Sequence, residues 1–216
     1  VALPVLGGSV GDLRIAPELR FYATKSRLTL ALRAATGLLF PRNYARDTSS
    51  SSLPTVDQQI LLFRGLFSGG PFSNRGYAFQ GVNPRQAFLL SNDPGVPCSG
   101  QTPGSDTDPR CLRPLGGLTS WELSAELRFP LTFLSPLGAV AFVDSSDVEL
   151  GRARYRFGDP HLAPGLGLRY PTPIGPVRLD LGFRVLQAFG KERPQGTPPT
   201  LFGAPLTLQL AIGQAF

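Results

Sequence analysis

The sequence predicts an all-β fold: an antiparallel transmembrane β-barrel of about eight strands with one long extracellular loop. Three observations predict it. Segments of roughly ten residues alternate apolar and polar side chains, the connections between them are short and long by turns, and no apolar run approaches the ~18 residues that a spanning helix needs. Only a meander of antiparallel strands with two different ends gives that order of connections a meaning.

Composition agrees. Charged residues make up 17% of the 216, below the ~25% usual in soluble domains, yet the mean hydropathy of +0.02 is far from that of a helical membrane protein. Apolar residues are spread singly, as on a sheet with one greasy and one polar face. Glycine (25) and proline (22) gather between the alternating segments, so the chain is read as one ordered domain over residues 1–216. The net charge of +6 comes mostly from arginines. A membrane with anionic head groups suits their spacing better than nucleic acid does. With neither a start Met nor a signal segment, the sequence reads as a processed or excised chain.

Taken in order, Val1–Leu6 is a short apolar stretch that would serve as an eighth strand. Asp12–Tyr22 puts Leu13, Ile15, Leu19 and Phe21 on one face and Arg14, Glu18, Arg20 and Tyr22 on the other. Pro17 cannot donate to a ladder, which marks this strand for an edge near a seam. A short turn, Thr24–Arg27, leads into Leu28–Leu39, where Leu28, Leu30, Leu32, Ala34 and Leu38 alternate with Thr29, Ala31, Arg33, Ala35 and Gly37.

From Phe40 to about Pro114 the alternation stops. Such a length without pattern is uncommon in a compact soluble domain but ordinary for an external loop of a membrane barrel. Both cysteines, Cys98 and Cys111, fall there, and in an oxidising compartment they would pair as a disulfide. One histidine and two cysteines without close spacing offer no metal site. No cofactor is implied.

Alternation resumes at Ser120–Pro130, with Trp121, Leu123, Ala125, Leu127 and Phe129 opposing Glu122, Ser124, Glu126 and Arg128. After the turn Leu131–Pro136 come Leu137–Val148, a charged connection with Arg152, Arg154 and Arg156, and Leu162–Tyr170. The tight turn Pro171–Pro176 precedes Val177–Leu186. A polar connection, Gln187–Thr200, leads to Leu206–Phe216, whose Leu206, Leu208, Leu210, Ile212 and Phe216 are assigned to one face. The three arginines read as a solvated loop face, with lipopolysaccharide phosphate as the alternative contact.

Two stretches organise the chain: Leu66–Tyr77 (LFSGGPFSNRGY) and Ala139–Val148 (AVAFVDSSDV). Gly69-Gly70 with Arg75-Gly76-Tyr77, then Phe142-Val143-Asp144, then Pro164–Tyr170 with Pro173–Pro176 and Val177–Asp180, and a last strand ending in Phe216, follow one another in an order that resembles the C-terminal barrel region of the BamA/TamA superfamily of outer-membrane assembly and translocation proteins. The likeness runs from Leu28 to Phe216. It implies the last half of a sixteen-stranded barrel, with 40–114 as a loop folded back into the lumen. It also implies a clasp of loop Arg75, Gly76 and Tyr77 on Phe142 and Asp144, with Arg75 contacting Asp144, and a terminal assembly signal at Phe216. The family's glycine two residues beyond the aspartate is Ser146 here.

The expected function is insertion or translocation of polypeptides at the bacterial outer membrane through a lateral seam. Its partners would be client polypeptides, outer-membrane lipid and lipopolysaccharide, and further barrel strands from another chain or another copy. The alternative is a self-sufficient small eight-stranded barrel with a structural or surface-binding role. Catalysis is not expected: His161 is the sole histidine, with no nucleophile motif beside it.

Overall fold

The computed structural model describes residues 10–45, 55–87, 98, 111–158, 160–185 and 201–216. Val1–Leu6, the expected eighth strand, and the connection Gln187–Thr200, read as polar, lie outside the described residues.

One antiparallel sheet dominates. Its strands are β1 (Asp12–Ile15), β2 (Glu18–Lys25), β3 (Leu28–Pro41), β6 (Thr119–Pro130), β7 (Gly138–Glu149), β8 (His161–Tyr170), β9 (Val177–Phe183) and β10 (Leu206–Ile212); β1 and β2 both pair with β3, and from β3 on each strand pairs with the next in the sheet. Between β3 and β6 lie α1 (Thr55–Arg64), β4 (Arg85–Ala87) and β5 (Leu112–Pro114). β1 and β2 run end to end along the same edge of β3, interrupted at Ala16-Pro17. Thr36 N still donates to Pro17 O at 3.1 Å, so the proline breaks the strand where its missing N–H would fall. Among the described residues no pairing joins β1 or β2 to β10, and the sheet is not closed.

The two faces invert the usual order of a soluble fold. Leu19, Phe21, Leu30, Leu123, Leu166, Leu181, Leu208 and Leu210 are exposed on the outer face, while Glu126, Asp144, Arg178 and Asp180 are buried on the inner one. Burying charges and exposing leucines is unfavourable in water and favourable in lipid around a polar interior. No helix among the described residues is long and apolar enough to cross a membrane.

Two expectations are corrected. The run after Phe40 is not without regular structure: β3 continues to Pro41, and α1 and the β4–β5 hairpin follow. Leu61 of the helix joins Leu39, Tyr44, Leu66, Leu115 and Leu118 in a small apolar core at the long-connection end. The last strand also stops at Ile212 rather than at Phe216. Gly213 takes φ +98°, which few residues other than glycine adopt readily, and the tail turns away from the outer face. Phe216 is buried, its ring 5.5 Å from the guanidinium of the inner-face Arg128.

Candidate functional site

The inner face is filled by the segment Leu66–Asn83. Gly69 and Gly70 both take positive φ, +105° and +107°, and reverse the chain so that the following residues run back across the strands. Asn83 secures the base of this turn: its Nδ2 donates to Leu66 O at 2.9 Å and Leu115 O at 3.0 Å, and its Oδ1 accepts from Ser68 N at 2.9 Å.

At the tip stands Arg75, 1% exposed. Its Nε and Nη2 donate to the two oxygens of Asp144, each at 2.7 Å, and its backbone N donates to Asp144 Oδ2 at 3.0 Å. Its Nη1 donates to Glu126, and its guanidinium lies 3.6 Å from the Phe142 ring centroid. The side chain is thus held in a fork by two carboxylates and covered by an aromatic face, a geometry that suits guanidinium better than ammonium. Glu126 and Phe142 are cross-strand partners, as are Ser124 and Asp144, so the β6–β7 register alone places the acceptors.

The neighbouring residues seat the backbone. Gly76 O accepts from Thr207 Oγ1 at 2.8 Å and from Arg184 Nη1 at 3.2 Å, and Tyr77 O accepts from Gln209 Nε2 at 2.9 Å. A Cβ at Gly182 would stand 2.7 Å from Gly76 Cα. Gly76 itself lies against Ala163, so small residues on both surfaces allow the approach. Tyr77 meets His161 edge-on, ring centroids 5.1 Å apart. Arg75 therefore touches β6 and β7 while the very next residue touches β10. In a flat sheet β6 and β10 would lie ~19 Å apart at ~4.8 Å per strand, so the sheet curls around the segment.

Sequence reasoning did not anticipate several participants. Glu126 shares Arg75 with Asp144, and Asn74 Nδ2 donates to Ser146 Oγ at 3.0 Å and to His161 O at 2.6 Å. Ser68 also donates to Ser146 Oγ, at 3.0 Å. Ser146 thus serves as a docking point for the segment. Asp180 accepts from Arg169 at 2.5 Å and from Arg178 at 3.2 Å, and Arg178 in turn donates to Pro71 O. Arg169 on β8 and Arg178 and Asp180 on β9 are visible in the sequence as inward charges, but which cation meets which acceptor is not.

Other expected residues fall elsewhere. Cys98 and Cys111 form a disulfide with Cα atoms 5.2 Å apart. Phe216 does not touch Arg75; its ring meets Arg128, which donates to Glu126 of the fork. Arg152 donates to Ala45 O at 3.1 Å, and Arg156 pairs with Asp147 and Glu149, so two of the three loop arginines are used within the chain. At the base of α1, Arg64 and Tyr44 both donate to Asp12. Burial and that bond push the Tyr44 phenol up to about 12, and the same carboxylate holds Arg64 above its ordinary value. No group of metal-ligating side chains occurs among the described residues.

An antiparallel sheet with a lipid-type outer face and a polar inner face that holds a folded-back loop defines the class: the wall of a membrane β-barrel. The model of the Omp85 superfamily domain matches residues 1–216, and the chain belongs to that superfamily of outer-membrane barrels serving protein assembly and translocation. No curated protein matches the chain.

Proposed function

We propose that this chain is the loop-bearing part of a barrel wider than eight strands, acting in insertion or translocation of polypeptides through a lateral seam and without covalent chemistry. The observation that carries this reading is the occupied inner face. An eight-stranded barrel has room for side chains or one small ligand, whereas here a whole backbone turn, Arg75-Gly76-Tyr77, lies on the strands. That is an argument against the self-sufficient small barrel. Among the described residues the outer edges of β1, β2 and β10 are unpaired, and they supply backbone groups to which further strands, or an extended client segment, would add by hydrogen bonding.

In this reading residues 1–216 serve a single barrel domain in the bacterial outer membrane. Arg75, Gly76, Tyr77, Phe142 and Asp144 act as the clasp that fixes the loop in the lumen, Phe216 marks the terminal strand, and lipopolysaccharide and client polypeptides are the partners. The clasp is a positioning device. Arg75→Ala leaves Asp144 and Glu126 buried without their shared cation, a loss of about 3–5 kcal/mol of loop seating. The test measures client insertion into proteoliposomes together with protease cleavage of the loop. Loss of insertion with a newly cleavable loop supports the proposal; a released loop with unchanged insertion overturns it.

A further inference from the structure

The short-turn end of the sheet carries a second feature, joined to the clasp through Glu126, which accepts from both Arg75 and Arg128. A cavity of about 330 Å³ opens at this rim. Arg27 of the β2–β3 turn, Thr29, Arg128 and Arg169 line its polar side, and Pro130, Pro136, Pro171 and Pro176 line its apolar side. No acidic residue is among its lining residues.

Arg128 is held by Glu126, its Nε donating to Oε2 at 2.7 Å, whereas Arg169 is held only in part. Arg169 is about nine-tenths buried, and its Nη2 has no hydrogen-bond partner; Glu126 Oε1 lies 3.7 Å from it, an ion-pair distance without a bond. Across the β8–β9 ladder Arg169 stands directly opposite Arg178, a like-charge pair, and both draw on Asp180. Glu126 and Asp180 are shared among Arg75, Arg128, Arg169 and Arg178, so the cavity wall keeps a positive excess that an oxyanion would balance.

The surroundings say which kind of oxyanion. Phe133 and Ile174, at the tips of the two other short turns, are each 79% exposed, and Leu134 is half exposed. Apolar tips at the end of a membrane barrel sit at the level of the lipid head groups, and a mixed cavity at that level fits an amphiphile better than a free ion or an acidic peptide. We infer that the rim holds the phosphate of an anionic phospholipid between Arg27, Arg128 and Arg169, with the start of an acyl chain against the prolines of the same rim. This does not depend on the insertion reading. It requires only that the sheet lie in a membrane.

The test uses the protein extracted from its membrane in neutral detergent, with phosphatidylglycerol and phosphatidylethanolamine titrated separately and bound lipid counted by native mass spectrometry. Phosphatidylglycerol is expected to bind more tightly, and Arg27→Gln and Arg169→Gln are each expected to weaken it about fivefold while leaving phosphatidylethanolamine unchanged. Arg27 is exposed on a turn, so its variant folds even where Arg169→Gln does not. Equal affinity for the two lipids, or no effect of Arg27→Gln, overturns the site. Displacement of phosphatidylglycerol by equimolar inorganic phosphate or by a glutamate-rich peptide overturns the lipid assignment.

Discussion

At the scale of single residues, the site is decided by which side chains find a second partner. Arg75 and Asp144 stand out in the sequence because each falls in a short motif, but Glu126 belongs to a regular alternation, SWELSAELRF, in which Glu122 has equal standing. Only the register tells them apart: Glu126 lies opposite Phe142 and reaches Arg75, whereas Glu122 lies opposite Ser146 and receives Ser73 and Arg33. The glycines are legible only as small residues. In the structure Gly182 is where the loop backbone passes, with Arg75 O 2.8 Å from the position of a Cβ. Gly182→Val is therefore expected to lift the tip and cost about 1–3 kcal/mol of seating, as overpacking does. Limited proteolysis near residue 75 checks it: cleavage should rise above that of the native chain, and an unchanged digestion pattern would show that the contact is not needed.

At the scale of elements, the strands follow from period-two alternation: each alternating segment from Asp12 onward holds a strand, but Asp12–Tyr22 is split at Ala16-Pro17, and the expected Val177–Leu186 and Leu206–Phe216 end early, at Phe183 and Ile212. What the pattern fixes is which residues share a face, and lipid makes the apolar face the outer one. Leu166 lies near the middle of β8 and is exposed. Leu166→Arg should destabilise the membrane-embedded sheet by about 2–4 kcal/mol, and Leu166→Phe by little; urea titration in lipid vesicles would separate them, and equal midpoints would contradict the assigned faces. The helix α1 escaped notice because its apolar residues do not form one clean stripe. Leu61 is buried in the small core while Phe63 is 87% exposed, so neither helical nor strand period emerges from TVDQQILLFR. The extension of β10 to Phe216 failed for a different reason. Alternation continues through Gly213 on paper, and the positive φ of that glycine ends it.

At the scale of the whole molecule, the described sheet has two unpaired edges and a curvature set by the segment it encloses. A chain that closed alone would have to expel Arg75 from between Glu126 and Asp144 or widen beyond its own strands. The native mass of these 216 residues, expressed alone and held in detergent, checks this: more than one chain per particle is expected, and a particle of one chain would refute the wider barrel. The sequence by itself determined the strands, their two faces, the alternation of short and long connections, and the two motifs, because each is a local property of residue order and type. Tertiary structure decided how the loop is used. Adjacent residues of one turn bridge β6 to β10, the β6–β7 register chooses Glu126 as the second acceptor, and Ser146 becomes a docking point. None of these can be read from spacing, since each depends on the curl that brings strands distant in the sheet around a single arginine.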